Sequence, residues 1–290
     1  MFLKIFKMLR VNQWLKNLLI FIPLIIETNL INSSNLFVSL LAFFLFSFSA
    51  SFIYIVNDWI DRKEDSYHPE KKFRPFASGD LKAFHAVSSL IFIAILIICS
   101  LAYIKNFYLN VIIALYILQS LSYTFFLKNI SLLEIFLVAS GYVYRILVGT
   151  IIISSFPSTW MVFTVGSASL LVVTSKRKID LFKSPQEILR KSLKNYSHDF
   201  LNILLAILSA TTITSYVLFT FSNYAILKFN SELLPFSSIF VFFGVLRYVQ
   251  LSFKMNVSSD PINILFKDKQ LFLTVSLWMI FIFSINFLDK

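Results

Sequence analysis

The densest polar stretch of the chain, YIVNDWIDRKEDSYHPEKKFRPFASGD from residue 54 to 80, closes an otherwise apolar run. Asp58, Asp61 and Asp65 fall at i, i+3 and i+7. A continuing helix therefore turns all three carboxylates to one face, with Asn57 and Tyr54 one turn back beside them. Like charges stacked in this way repel, and negative charge at a helix C-terminus opposes the macrodipole. A bound cation removes both penalties. Oxygen donors alone suit Mg²⁺, a hard ion that keeps several waters and commonly shares its shell with substrate phosphates. Zinc is a poor match, because His68, His85 and His198 lack ligand spacing and Cys99 sits inside an apolar run. The plainer alternative is a solvated helix end whose acids pair with Arg62, Lys63 or Lys71.

Cations follow at once. Lys71, Lys72 and Arg74 lie in a loop punctuated by Pro69, Pro75 and Gly79, where a polyphosphate gripped by metal on one side would need them on the other. A topological bias toward basic loops would place them there equally well. A second basic cluster, SKRKIDLFKSPQE, sets Lys176 and Arg177 four and three residues before Asp180. It offers two cations and one carboxylate at another helix end, with an ordinary topogenic loop as the alternative. Arg145 in GYVYRILVG lies deep in an apolar run, where a charge is costly and is expected to face a cavity or a partner. Trp14, Lys16 and Asn17 in VNQWLKNLLIF read as an aromatic belt with a snorkelling Lys, and Arg247, nearer a run's end, as a snorkelling Arg.

The elements that carry these residues are membrane helices. Of 290 residues, 58% are apolar, 17% aromatic and only 14% charged, and the mean hydropathy is +0.78. That composition excludes disordered, collagen-like and disulfide-built proteins and makes a bilayer the expected solvent. Since about 20 apolar residues cross the hydrocarbon core, nine spans are expected: 15–31, 35–57, 84–104, 107–127, 131–153, 159–175, 200–223, 236–253 and 271–288. The fold class is an all-α integral membrane protein, one multi-pass domain over residues 1–290. The 34 Phe are spread through the spans as lipid-facing and packing bulk. Ser47, Ser49, Ala50 and Ser51, and Ala139, Ser140 and Gly141, are expected where helices approach closely. Cys99 is expected as a buried apolar filler, and no cleavable signal peptide is evident.

The net charge of +11 invites a nucleic-acid reading until the charges are placed. With the N-terminus inside, alternate segments between spans hold 21 of the 26 Lys and Arg residues. That asymmetry favours a cytoplasmic N-terminus and an external C-terminus, so nucleic-acid binding loses its support. The oligomeric state is not legible.

With these residues in hand, the chain resembles the UbiA superfamily of intramembrane prenyltransferases, and within it the decaprenyl-phosphate phosphoribosyltransferase branch, over nearly its whole length. NDWIDRKED matches the superfamily's N-D-x-x-D-x-x-x-D motif at the close of a second span. The branch is suggested by the order of NQWLKN, YIVND running into HPEKKFRPFASG, ASGYVYRILVG, TSKRKIDL, YSHDFL, LRY and SDPINILFKD. One departure stands out. Prenyltransferase members carry a second acidic D-x-x-x-D motif, where this chain offers Lys176, Arg177 and Asp180, and Asp180 replaces the Glu common in the branch.

The resemblance implies a bundle of nine transmembrane helices around a cytoplasm-facing cavity, located in the cytoplasmic (inner) membrane. It implies transfer of 5-phosphoribose from phosphoribosyl diphosphate to a polyprenyl phosphate, for a cell-envelope glycan precursor. Asp58 and Asp61 become the catalytic residues, and Asn57, Asp58, Asp61 and Asp65 the Mg²⁺ ligands. Lys16, Tyr54, Lys71, Lys72, Arg74, Lys176 and Arg177 would hold the donor's phosphates, and Arg145 the acceptor's. Two other functions fit the same residues less fully: prenyl transfer from a diphosphate to an aromatic or other acceptor, and membrane transport.

Overall fold

The computed structural model describes residues 2–27, 31–67, 71–183, 191–253 and 261–288. His68, Pro69 and the stretches 184–190 and 254–260, which the motifs above touch, lie outside the described residues. Every regular element among the described residues is helical. In chain order these are α1 (Phe2–Leu9), a 3-10 helix (Val11–Phe21) running into α2 (Ile22–Ile26), α3 (Ser33–Ile60), α4 (Arg62–Tyr67), α5 (Ala83–Ile104) and α6 (Phe107–Phe125). They continue with α7 (Leu133–Ile152), α8 (Thr159–Lys183), α9 (His198–Thr220), α10 (Asn223–Phe229), α11 (Ser238–Ser252), α12 (Pro261–Lys267) and α13 (Lys269–Leu288).

Among the described residues, six segments are long and apolar enough to cross a membrane: α3, α5, α6, α7, α9 and Leu234–Ser252, which contains α11. A seventh is reached if α12 and α13, bent by 93° at their junction, make one span. Val11–Ile26 is apolar but shorter. α8 has 25 residues, but its last turns carry Lys176, Arg177, Lys178 and Asp180. The second basic cluster thus begins as a continuation of the helix rather than as a loop.

The chain divides into two compact units. The first comprises Met1–Leu24, Leu30–Leu127 and Tyr144–Ser155. Its centre is α3, against which α1, the 3-10 helix, α5 and α6 pack. The Asn32 side chain caps α3 by accepting from the Asn35 N–H at 2.8 Å, and Ser47, Ser49, Ala50 and Ser51 are all buried, as expected of small contact residues. The three-residue period of a 3-10 helix stacks Trp14, Asn17 and Ile20 in one row. Trp14 Nε1 donates to Ser51 Oγ at 3.0 Å and Asn17 Nδ2 to Ser47 Oγ at 2.8 Å, which are one α-helical turn apart on α3. Trp14 is therefore a packing residue of the unit and not a free interfacial belt. Ile20 comes so close to Gly149 that a Cβ there would strike the Ile20 carbonyl oxygen; only glycine fits.

Cys99 is exposed on α5, beside the exposed Ile91, Phe92, Ile95 and Ile98. The burial expected from its apolar surroundings fails because a membrane helix satisfies an apolar face with lipid as readily as with protein.

The second unit comprises Ile25–Asn29, Lys128–Val143 and Phe156–Lys290. α8 and α9 pack along one another, and α11 packs against α8, α9 and α13. Ser169 Oγ donates to the Ala139 carbonyl at 3.1 Å, so the small residue at 139 does mark a close approach. Tyr216 shares hydrogen bonds with Ser237 and Trp278, both at 2.8 Å. Arg247 does not simply snorkel: it donates to both Asp268 oxygens, at 3.2 and 2.7 Å, and to Gln250 at 2.7 Å.

Candidate active site

The acidic motif sits where α3 passes into α4. Asp61 N–H bonds to the Asn57 carbonyl at 2.9 Å and Asp65 N–H to the Asp61 carbonyl at 2.8 Å. The i→i+4 ladder thus runs across the junction and keeps the three carboxylates in register. All three Asp residues are buried; Asn57 and Tyr54 are half-buried beside them.

Buried carboxylates demand partners, and for Asp58 and Asp65 these are Arg10 and Arg74 rather than Arg62, Lys63 or Lys71. Arg10 grips Asp58 with a two-pronged bond, Nε to Oδ2 at 3.0 Å and Nη2 to Oδ1 at 2.5 Å. Arg74 Nη1 donates to Asp58 Oδ1 at 3.0 Å and to Asp65 Oδ2 at 2.6 Å, tying the two acids together. Arg62 instead lies over the Trp59 ring at 4.0 Å and donates to the Trp59 carbonyl. Arg10 also stacks on Tyr54 at 4.9 Å. It reaches the site from a left-handed backbone, φ 51 and ψ 47, between α1 and the 3-10 helix. A non-glycine residue there stores strain of about 1–2 kcal/mol, which the pair to Asp58 helps to hold.

The two acids and two guanidinia share one electrostatic knot. Burial and the neighbouring Arg10 charge draw the Arg74 guanidinium below its ordinary value, while Asp58 and Asp65 oppose that shift. Both arginine side chains remain 23% exposed, against 3% for Asp58. Of the other expected cations, Lys71 is half-buried and Lys72 is exposed over the Phe73 ring. Lys16 is half-buried on the 3-10 helix.

As a metal site, the motif offers only oxygen donors: the carboxylates of Asp58, Asp61 and Asp65 and the amide of Asn57. Among the described residues no three His, Cys, Asp or Glu side chains are gathered into a cage for an ion. Mg²⁺ does not require one. It is usually held by one or two carboxylates and completes its shell with water and substrate phosphate, so the donor set fits that ion.

Arg145 is buried in the first unit. Its Nε donates to Asn17 Oδ1 at 2.7 Å, and its guanidinium lies over the Phe46 ring at 4.7 Å. The expectation that this charge faces a partner is met, and one partner is the same Asn17 that joins the 3-10 helix to α3.

In the second unit, Arg177 is spent on carboxylates. Its Nε and Nη2 bond to Glu134 at 2.6 to 2.8 Å, and its Nη1 reaches Asp180 at 3.3 Å, the i, i+3 pair expected from the sequence. Tyr196 accepts from the Leu132 N–H at 2.6 Å and donates to Glu134 Oε1 at 3.5 Å. Lys176 is half-buried on the same turn as Arg177.

Arg10 and Glu134 escaped sequence reasoning. Arg10 reads as one more N-terminal cation. Glu134 did carry a signal, as an acid three residues into an apolar run.

Residues 19–181 match the model of the UbiA prenyltransferase family, more than half of the chain. The chain belongs to that family. Its UbiA relatives include a decaprenyl-phosphate phosphoribosyltransferase of Corynebacterium glutamicum, 32% identical over 74% of this chain and 66% of that one. Another protein of that name, from Mycobacterium tuberculosis, is 27% identical over 94% of this chain and 91% of its own length. Among solved structures, a UbiA homologue from Archaeoglobus fulgidus bound to GPP and Mg²⁺ superposes with a TM-score of 0.70. That match covers 98% of this chain and 99% of the other at 19% identity, a likeness that speaks for the fold. The UbiA fold expected from the motifs is therefore the fold of this chain.

Proposed function

We propose that this UbiA-family member transfers 5-phosphoribose from phosphoribosyl diphosphate to a membrane polyprenyl phosphate, releasing diphosphate and making a lipid-linked pentose for envelope glycan. Its relatives carry the name of that activity. The observation that carries the reading is the buried acid triad in which the cations on Asp58 and Asp65, Arg10 and Arg74, still reach solvent. Such a knot can open toward an incoming polyphosphate, because the phosphate takes over the guanidinia and frees carboxylate oxygens.

In this reading one or two carboxylates of the Asn57, Asp58, Asp61 and Asp65 set would hold Mg²⁺, with water and substrate phosphate completing its shell, and the ion would offset the charge of the departing diphosphate. Arg74, Lys71, Lys72 and Lys16 neutralise the remaining phosphate charge, and Tyr54 donates a hydrogen bond. An oxygen of the acceptor phosphate forms the new bond to the anomeric carbon as the bond to diphosphate breaks. The acceptor oxygen is already ionised, so no protein nucleophile or general base is needed. Catalysis rests on positioning and charge. The acceptor's phosphate is assigned to Arg145, whose Nε bonds Asn17.

The reading takes the chain as one domain with nine membrane spans in the cytoplasmic membrane. The spans that fall short alone are Val11–Ile26, residues 159–175 of α8 and the α12–α13 pair, and the N-terminus faces the cytoplasm. Nucleic acid plays no part. The experiment is a mass spectrum of the lipid made by purified protein from polyprenyl phosphate with either phosphoribosyl diphosphate or a prenyl diphosphate. A pentose phosphate adduct is expected. A prenylated product with the second donor alone would assign the chain to prenyl transfer.

A further inference from the structure

The end of α8 carries polar groups that neither the ion pairs nor the proposed reaction uses. Thr174 Oγ1, Ser175 Oγ and Lys178 Nζ are buried and have no hydrogen-bond partner among the described residues. The residues are 0%, 0% and 2% exposed. Thr174 lies four residues and Ser175 three residues before Lys178, so the three occupy adjacent positions on one helix face.

Each is out of character for its surroundings. Helical Ser and Thr ordinarily return the hydroxyl to a carbonyl one turn back, as Ser169, Ser209 and Thr212 do here. Thr174 and Ser175 do not. Arg177, one position before Lys178, is committed to Glu134 and Asp180. The described contact of Lys178 Nζ is the face of the Phe253 ring, which attracts a cation but replaces no acceptor oxygen.

A buried ammonium without an acceptor is among the costliest groups a fold can keep, and burial here draws its pKa down to about 8. Beside two idle hydroxyls, it amounts to one positive charge and a set of donors. A carboxylate would leave part of that set unused. A phosphate monoester brings three terminal oxygens and close to two negative charges at neutral pH.

We infer that Thr174, Ser175 and Lys178 form a pocket for a phosphate monoester, with the ammonium supplying charge and the hydroxyls donating hydrogen bonds. The chemistry is the same whether the phosphate sits on a sugar or on a prenyl chain. Only the question of which carrier occupies the pocket rests on the proposed reaction.

Thermal unfolding of purified protein in detergent separates the cases, since a ligand that binds only the folded state raises Tm with its concentration. Ribose 5-phosphate and a short-chain prenyl phosphate are titrated separately into wild type and Lys178→Met. The variant is expected to keep or exceed the ligand-free Tm of wild type, because it replaces an unpaired buried charge with an apolar chain of similar volume. For one or both ligands its apparent affinity is expected to fall on the order of 10- to 100-fold. The ligand affected identifies the occupant. Unchanged responses to both ligands in Lys178→Met, or no response in wild type, overturn the pocket. Should Lys178→Met not fold, Thr174→Val carries the same test: a weakened response supports the pocket and an unchanged one overturns it. Wild type that binds a phosphate but fails to transfer phosphoribose would sink the proposed reaction and leave the pocket standing. Normal transfer with unchanged phosphate responses would do the reverse.

Discussion

Two knots of buried charge, one in each unit, differ in what seals them. At the α3–α4 junction the acids are buried but their cations, Arg10 and Arg74, are each 23% exposed. At the end of α8 both members are enclosed, Arg177 at 6% and Glu134 at 1%. A guanidinium that water can reach can exchange its carboxylate for a phosphate at modest cost. One that is sealed with its partner gives up that partner only by breaking the fold. The proposed reaction uses the first knot, where water reaches the cations, and not the second, which is closed to it. Arg177, which the family resemblance gives to the donor's phosphates, bonds Glu134 and Asp180 in this structure and so anchors the turn that carries Lys176 and Lys178.

The strongest way to break this contrast is at the first knot. Asp58→Asn and Asp61→Asn should each reduce phosphoribosyl transfer on the order of 10² to 10³-fold, with the protein still folded by circular dichroism. Transfer within a few-fold of wild type would remove the acids from the reaction.

At the second knot the dominant effect should be on stability. Glu134→Gln leaves the Arg177 charge buried without its carboxylate and should cost about 3–5 kcal/mol, read as a fall in Tm in detergent. Adding Arg177→Met should recover most of that loss and leave transfer largely intact. A folded double variant without activity would show that the sealed pair does touch substrate.

A smaller effect should separate Lys178 from both knots. Its folded pKa of about 8 lies below the ordinary 10.5, so between those values the unfolded chain binds more protons than the folded one. Stability of wild type relative to Lys178→Met should therefore rise as the pH goes from about 8 toward 10.5. A difference in Tm that stays flat across this window would mean that the buried ammonium is not the group described.

The least should come from the loop itself. Lys4 bonds Asp80 at 2.6 Å with both side chains nearly half exposed, and exposed pairs contribute little. Asp80→Asn should change neither Tm nor transfer beyond error. A clear loss would mean that the 71–82 loop is held more tightly than its exposure indicates.

Much of the site was legible before any coordinates. The i, i+3, i+7 spacing put Asp58, Asp61 and Asp65 on one face, and the ladder across the helix junction keeps them there. Arg74 was among the named cations and does hold the acids. Arg10 was not, because it meets Asp58 across 48 residues of chain, and nothing local marks it out. Cys99 misled for a related reason: apolar neighbours in sequence do not distinguish lipid from protein. The fate of the basic cluster was equally hidden, since KRKID reads the same whether its helix ends before it or continues through it.

The amino-acid sequence by itself determined the solvent, the all-helical class, the family and the helix face on which the acids lie, because hydropathy and helical spacing are local quantities. Tertiary structure alone decided which charges are neutralised by protein and which remain available to a ligand. That choice depends on long-range partners such as Arg10 for Asp58 and Glu134 for Arg177, and on how far each pair is closed to water.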